Sequence, residues 1–138
     1  IHIQTDEAPW IQRTTGIQQD SLQLHTSGDK VAVGEIEVTL LHTPGHTPGS
    51  QCFLVENMLI AGDTLFLEGC GRTDLPGSDP EKMYESLQLL GKLDEDVIVY
   101  PGHQYSIPKC MSMGDVRNTN YVFKPKTKDA WMQWFGGA

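Results

Sequence analysis

Cysteine, basic residues and long apolar runs are all scarce in this 138-residue sequence. The three cysteines share no CxxC spacing, which argues against a disulfide framework and favours a reducing compartment, with the cytoplasm as the expected location. No apolar run approaches the roughly 20 residues that span a bilayer, and the first residues form no signal-peptide pattern. We therefore expect a soluble protein with no membrane partner.

Positive charge is in deficit, because 10 lysine and arginine residues stand against 18 aspartate and glutamate residues, for a formal net charge of −8. The one concentrated basic segment, Lys124 to Lys128, is typical of a solvated surface rather than a nucleic-acid groove. We expect no nucleic-acid partner and, if the protein is an enzyme, a small-molecule substrate. The length and the 38% hydrophobic content suit one domain over residues 1–138 with its own core.

Two histidines and one aspartate each lie just past the end of a predicted strand. Apolar and polar residues alternate over 36–40, which predicts a half-buried strand, and the turn after it carries His46. The continuous apolar run 97–100 predicts a strand buried on both faces, and His103 follows it after a Pro-Gly break.

The aspartate, Asp63, comes directly after a predicted hairpin. The apolar runs 53–55 and 58–60 are separated only by Glu56 and Asn57, and we expect the positive φ of this turn at Asn57. The three polar side chains should therefore leave neighbouring strands at one edge of a sheet.

Imidazole nitrogen and carboxylate oxygen are the usual ligands of zinc, iron and manganese, and one carboxylate can bridge two cations. Together, the three side chains predict a metal site suited to hydrolysis. The alternative is that each is a turn residue satisfied by local hydrogen bonds, which is the commoner case for any one of them alone.

Helical patterns flank these strands. The clearest begins at Asp79, an N-cap followed by Pro80, and its apolar stripe should cover the sheet. Further helices are predicted over 6–13 and 127–135, and the aromatic residues of the second favour a packing role. The apolar stripe of the helix that begins at Asp79 consists of Met83, Leu87 and Leu90.

Four segments occur in one order: TPGHTPGS at 43–50, AGDTLF at 61–66, GCGRTDLPGSDPEKMYESL at 69–87 and VYPGHQY at 99–105. In this order they resemble the C-terminal half of the metallo-β-lactamase-fold hydrolases, and most of all the glyoxalase II-like branch. The resemblance implies an α/β (α+β) fold that is half of an αββα sandwich, with a mixed β-sheet and helices on one face.

The resemblance also implies roles for the three polar residues. His46 would bind one metal ion and His103 a second, while Asp63 would bridge the two ions and act in catalysis. The complete family holds two zinc ions per site, with iron or manganese as further options. Its HxHxDH cluster does not occur here, because residues 1–10 resemble the segment that follows it. The single domain is therefore expected to lack its N-terminal half and half of its metal ligands.

Substrate contacts are expected after Asp63. By resemblance, Arg72 and Tyr105 would lie near a thioester substrate, and Arg72 could pair with a substrate carboxylate. An ion pair from Arg72 to Asp74 or Asp79 is an equal alternative, and Asp74 stands where the branch has an aromatic residue. Cys70 lies in the same loop and is expected to be a small apolar filler, because no histidine is placed to activate it.

Several functions remain open at this point. The first is thioester or ester hydrolysis by a metal-bound hydroxide, as in glyoxalase II. A related possibility is a persulfide dioxygenase-like iron enzyme with His46 and Asp63 in its triad. The third is a truncated, non-catalytic half-domain that binds a partner or oligomerises. Whether this chain is itself an enzyme therefore stays open.

The expected oligomeric state is a homodimer. The predicted strands 31–33, 36–40 and 97–100 would show apolar side chains to water in a lone half-sandwich, and a second copy would cover them. The competing expectation is that the helix at 131–135 folds over this face and leaves a monomer.

Overall fold

A six-stranded mixed sheet forms the centre of the fold, and the computed structural model describes residues 1–136. The strands are β1 (His2–Gln4), β2 (Gln23–His25), β3 (Lys30–Val33), β4 (Ile36–His42), β5 (Gln51–Val55), β6 (Met58–Gly62), β7 (Leu65–Phe66), β8 (Gly69–Cys70), β9 (Ile98–Pro101) and β10 (Met111–Ser112). The helices are α1 (Ala8–Thr15), α2 (Pro80–Leu90), α3 (Met113–Thr119) and α4 (Lys128–Phe135), and short 3-10 turns lie at Thr5–Glu7, Gln19–Ser21 and Tyr121–Phe123.

The order of the strands across the sheet is β10-β9-β6-β5-β4-β3. Strands β6 and β9 are parallel, and every other neighbouring pair in this sheet is antiparallel. The hairpin expected from the apolar runs 53–55 and 58–60, β5 with β6, is present, and β3 and β4 form a second antiparallel pair. Strands β1 and β2 form a separate parallel pair, and β7 and β8 a separate antiparallel pair.

The main core lies between one face of this sheet and helices α2, α3 and α4. The stripe predicted for α2 is confirmed, because Met83, Leu87 and Leu90 are fully buried. The other core members with no exposed surface come from the strands and from α3 and α4: Cys52, Leu59, Ala61, Leu65, Val99, Met113, Val116 and Trp131. The predicted mixed sheet with helices on one face is therefore present.

Helix α4 packs on α2 and not on the open face of the sheet. Trp131 is buried, and its indole Nε1 donates a hydrogen bond to the carbonyl oxygen of Pro80 at 2.8 Å. Trp134 of the same helix is 60% exposed. The expectation that this helix covers the opposite sheet face is therefore wrong.

The opposite face of the sheet carries two rows of apolar side chains in register. Ile60 and Tyr100 lie in one of these rows and are 47% and 39% exposed. The prediction that 97–100 is buried on both faces is thus wrong for the described residues, in which helices cover one face only. The two rows are Leu40, Phe53, Ile60 and Tyr100, and Val31, Val38, Val55, Met58 and Ile98.

Two local predictions also need correction. The positive φ of the β5–β6 turn is at Glu56 (53°) and not at Asn57, as in turns whose first central residue takes the positive φ. The predicted helix over 6–13 begins at Ala8, because the preceding residues form a 3-10 turn. Among residues 1–136, no helix has both the length and the apolar character that a membrane crossing requires.

Candidate metal centre

The pairing of the strands brings the predicted ligands to one edge of the sheet. Strands β6 and β9 run parallel, so that the segments after their carboxyl ends, which carry Asp63 and His103, lie side by side. The backbone amide of Gly102 donates to the carbonyl oxygen of Gly62 at 2.8 Å and extends this pairing. His46 joins them from the loop between β4 and β5.

Asp63 lies between the two imidazoles. Its Oδ2 is 3.7 Å from Nε2 of His46, and its Oδ1 is 3.3 Å from Nε2 of His103. The three residues that the sequence singled out are therefore brought together, with a different carboxylate oxygen facing each ring. Their role as metal ligands stays a prediction.

A backbone contact orients the ring of His46. Nδ1 of His46 lies 2.9 Å from the carbonyl oxygen of Arg72, which can only accept a hydrogen bond, so Nδ1 carries the proton. In the neutral ring, Nε2 then presents a lone pair towards Asp63. Such outer contacts fix the tautomer of metal-binding histidines.

Glycine is required where the chain approaches Asp63. A Cβ atom built on Gly102 would lie 2.8 Å from Oδ1 of Asp63 and 2.8 Å from the backbone carbon of Gly62. Any larger residue would therefore displace either the carboxylate or strand β6. The sequence indicated a break at this position, but not the contact that makes glycine necessary.

His103 lies against an aromatic wall. The Tyr105 ring is nearly parallel to it, with centroids 5.3 Å apart, and the edge of Phe66 meets Tyr105 at 5.1 Å. Tyr105 is 70% exposed, so its ring is free to meet a ligand. Its predicted substrate contact is untested.

These residues border a cavity of about 410 Å³, a volume that suits a small molecule. Burial raises the pKa of the Cys70 thiol on its wall to about 12, so the thiol stays protonated at neutral pH. Burial also raises the pKa of Tyr121, with a further contribution from Cys70. A thiolate nucleophile is therefore absent from this wall, as the sequence suggested for Cys70.

Arg72 and Asp74 form a bidentate ion pair. Its Nε donates to Oδ1 at 2.8 Å and its Nη2 to Oδ2 at 2.7 Å. The contact holds the pKa of the Asp74 carboxyl below its ordinary value and raises that of the guanidinium. Of the two internal partners considered, the structure thus selects Asp74, while Asp79 accepts from the amide of Lys82 as the N-cap of α2.

Two contacts near the site were missed by sequence reasoning. The buried amide of Asn120 donates to the carbonyl oxygens of Phe66 and Gly69, at 2.9 and 3.1 Å, and so braces the β7–β8 hairpin. The hydroxyls of Thr43 and Thr64 lie 2.9 Å apart and link the segments that lead to His46 and from Asp63. Neither contact has a local sequence signal, because the partners are far apart in the chain.

The donor types fit one cation on each side of Asp63, but the donor number is incomplete. Each ion would receive one imidazole nitrogen and one carboxylate oxygen, whereas catalytic zinc uses three protein ligands and an open position. Consistent with this count, no three His, Cys, Asp or Glu side chains within residues 1–136 are arranged to hold one ion.

The chain is similar in sequence to a known protein family. A sequence model of the metallo-beta-lactamase superfamily matches residues 5–103, which include all three candidate ligands. The chain belongs to this superfamily. The family resemblance seen in the four motifs is thereby confirmed, together with its fold.

Among curated relatives of this superfamily member, a "probable polyketide biosynthesis zinc-dependent hydrolase" of Bacillus subtilis is 33% identical over 75% of the chain. A hydroxyacylglutathione hydrolase of Shewanella loihica is 42% identical over 61% of it. The chain spans 47% and 32% of these two proteins, respectively. It therefore spans less than half the length of each of these two relatives.

Solved structures agree on the fold. ETHE1 from Myxococcus xanthus superposes with a TM-score of 0.79 at 25% identity, covering 99% of this chain and 66% of the other. A metallo-beta-lactamase from Staphylococcus aureus gives a TM-score of 0.85 at 24% identity, covering 98% of this chain and 44% of the other. The second likeness shows the fold alone.

Proposed function

We propose that this chain carries one side of a two-metal centre in a metal-dependent hydrolase that acts on thioesters or esters, as in glyoxalase II. In this proposal His46 binds one ion, His103 binds the other, and Asp63 bridges them. Zinc is the expected metal, with iron or manganese as alternatives. The whole protein's activity needs the further ligands that residues 1–136 do not provide.

One observation carries the proposal: the two oxygens of Asp63 face two different imidazole nitrogens. A carboxylate that served only as a turn residue would accept from nearby backbone amides instead. The protonated Nδ1 of His46 supports the same conclusion, because it leaves Nε2 free on the side of Asp63. The names of the two curated relatives, both hydrolases, support the class of reaction.

In the proposed reaction, the residues around the site have different roles. When bound, the metal would supply Lewis acidity to polarise a carbonyl group and to activate water. Asp63 contributes negative charge between the two imidazoles and fixes their separation. Tyr105 offers an exposed ring at the mouth of the cavity, and Cys70 stays protonated on its wall, so it does not compete as a nucleophile.

The cavity and the names of the relatives support the proposed substrate class. A volume of about 410 Å³ with aromatic residues at its mouth suits an acyl group of modest size. The relatives' names include a hydroxyacylglutathione hydrolase, which supports a thioester. Since Asp74 already pairs with Arg72, we propose a substrate whose recognition does not depend on a carboxylate at that position.

The test is a zinc titration by calorimetry of the wild-type chain and of His46→Ala, His103→Ala and Asp63→Ala. With an incomplete set of ligands we expect weak binding and little turnover. Each of these variants should lose at least about tenfold in affinity, and Asp63→Ala should lose most because it contacts both sites. Hydrolysis of a hydroxyacyl thioester, measured in parallel, reports whether this chain has any turnover of its own.

A control is needed for a second pair of imidazoles. Nδ1 of His2 and Nε2 of His25 lie 2.8 Å apart on the surface of the β1–β2 pair, and they could take up zinc independently. The variant His25→Ala should leave the affinity of the proposed centre unchanged. Equal affinity in wild type and His46→Ala would show that zinc binds elsewhere, and would leave the non-catalytic half-domain as the better account.

A further inference from the structure

Glu7 reaches from the N-terminal 3-10 turn to the loop that carries His46. Its Oε2 accepts a hydrogen bond from the hydroxyl of Thr47 at 2.8 Å and another from the backbone amide of Gly49 at 2.9 Å. Thr47 directly follows His46 in the chain. One carboxylate oxygen therefore holds two points of this loop from a segment that is distant in sequence.

The loop closes on itself around the same hydroxyl. The backbone amide of Thr47 donates to Oγ of Ser50 at 3.0 Å, and the two hydroxyl oxygens lie 2.9 Å apart. Because the Thr47 hydroxyl gives its proton to Glu7, the Ser50 hydroxyl is the donor between them. The two hydroxyl hydrogen bonds thus run in one direction, from Ser50 to Thr47 and from Thr47 to the carboxylate.

The approach of Glu7 to the loop is as close as the backbone allows. A Cβ atom built on Gly49 would overlap both the backbone nitrogen and the Cβ of Glu7, and Gly49 itself is buried. Only glycine fits at this position while the 3-10 turn stays in place. The contact is therefore a packed junction and not a surface pairing of two mobile side chains.

The loop between β4 and β5 has no strand pairing of its own at His46. The ring of His46 is held by the carbonyl oxygen of Arg72. The next residue, Thr47, is held by Glu7. The turn with Glu7 adjoins a small separate core of Ile3, Ala8 and Leu22. Glu7 thus joins this second core to the candidate metal centre.

We propose that Glu7 is a positioning residue that fixes the His46 loop and thereby directs Nε2 of His46 at Asp63. A carboxylate suits this task, because hydrogen bonds to a charged acceptor are stronger than neutral ones. The part of the proposal that concerns metal affinity rests on the proposed function, whereas the part that concerns the ring orientation does not.

The test compares the full chain with Glu7→Ala and Glu7→Gln, and uses Asp6→Asn as a matched control from the same turn. The Asp6 carboxylate faces His42 at 3.8 Å, and the hydrogen bonds from Thr47 and Gly49 go to Glu7 and not to Asp6. Three quantities are measured: hydrogen exchange of the Gly49 amide, the 15N shifts of the His46 ring nitrogens, and zinc affinity by calorimetry.

For Glu7→Ala we expect at least tenfold faster exchange at Gly49, a shift of the His46 ring nitrogens towards a tautomer mixture, and about tenfold weaker zinc binding. Glu7→Gln keeps one acceptor oxygen and should restore most of the ring signal, which a general loss of stability would not explain. Asp6→Asn should match wild type.

Unchanged His46 ring shifts in Glu7→Ala, despite faster exchange at Gly49, would overturn the proposal, as would an equal effect of Asp6→Asn. If Glu7→Ala does not fold, Thr47→Val, which removes the hydroxyl that donates to Glu7, is measured instead: a His46 tautomer mixture supports the proposal, and an unchanged tautomer overturns it. If wild type itself binds no zinc, the proposed function fails, but the ring shifts still test the positioning role.

Discussion

Nε2 of His103 lies 3.3 Å from Oδ1 of Asp63, because the strands that precede these residues run parallel and end at the same edge of the sheet. The second oxygen of Asp63 faces His46, which arrives from a loop of the adjoining hairpin. The carboxylate therefore lies between two imidazole nitrogens, with one oxygen facing each. The closeness of Asp63 and His103 follows from strand order, whereas the position of His46 also depends on contacts of its loop.

The first prediction concerns the core below this edge. Replacing Leu87 by alanine should lower the free energy of unfolding by about 2–5 kcal/mol, because the side chain is fully buried among α2, α4 and the sheet. Leu89 on the same helix is 43% exposed, so Leu89→Ala should cost less than about 1 kcal/mol. Urea denaturation measures both, and similar losses in the two variants would contradict the burial described here.

Helix α2 shows how much of the fold the sequence alone predicts. Its N-cap, the proline that follows it and its apolar stripe all act over neighbouring residues, and all were predicted correctly. The strand ends before His46, Asp63 and His103 were predicted for the same reason, because glycine directly precedes each of these residues and proline precedes the glycine in two of the three cases. Local rules were sufficient for this helix and for these strand ends, but they misplaced the positive φ of the β5–β6 turn and the start of α1.

Interactions between distant segments were not predictable in this way. Nothing near Glu7 indicates that it meets Thr47 and Gly49, and nothing near Asn120 indicates the β7–β8 hairpin. Even the partner of Arg72 stayed open between two aspartates until the loop geometry was known. Each of these contacts depends on how the chain folds back, which periodicity and capping signals do not report.

The second prediction concerns alkaline stability. The pKa of the Cys70 thiol is raised by burial from an ordinary 9.0 to about 12, so the unfolded chain ionises first as pH rises. The contribution of the buried neutral thiol to the free energy of unfolding is therefore fully present below pH 9. It is lost between pH 9 and 12, at up to about 1.4 kcal/mol per pH unit. Denaturant midpoints at pH 8 and pH 10 should fall less in Cys70→Ala than in wild type. An identical fall in the two chains would mean that the thiol is not buried as described. Burial also raises the pKa of Cys52, but Cys52 is present in both chains and its effect cancels in the comparison.

The third prediction concerns the Arg72–Asp74 pair. Asp74→Asn should free the guanidinium and tighten the binding of a carboxylate ligand such as glutathione by a few fold at low salt. The gain is small because both side chains are largely exposed, at 67% and 64%. Nuclear magnetic resonance titration measures it. The double variant Arg72→Ala/Asp74→Asn is the control, and a gain that persists there would show that Arg72 is not the carboxylate acceptor.

The fourth prediction concerns assembly. We expect a homodimer through the open sheet face, where Ile60 and Tyr100 are exposed among two rows of apolar residues. Ile60→Lys should raise the dissociation constant of the dimer at least tenfold in a sedimentation experiment, whereas Leu89→Lys, 43% exposed on helix α2 on the other side of the sheet, should leave it unchanged. A single species at the 15.3 kDa chain mass at every concentration would contradict the dimer.

The most direct test of the central claim is anomalous X-ray scattering at the zinc edge from crystals of this chain grown with zinc. The account predicts two peaks beside Asp63, one at about 2.0–2.2 Å from its Oδ2 and from Nε2 of His46, and one equally close to its Oδ1 and Nε2 of His103. Peaks found only at the His2–His25 pair, or a single ion held by both imidazoles without the carboxylate, would contradict Asp63 as the bridge.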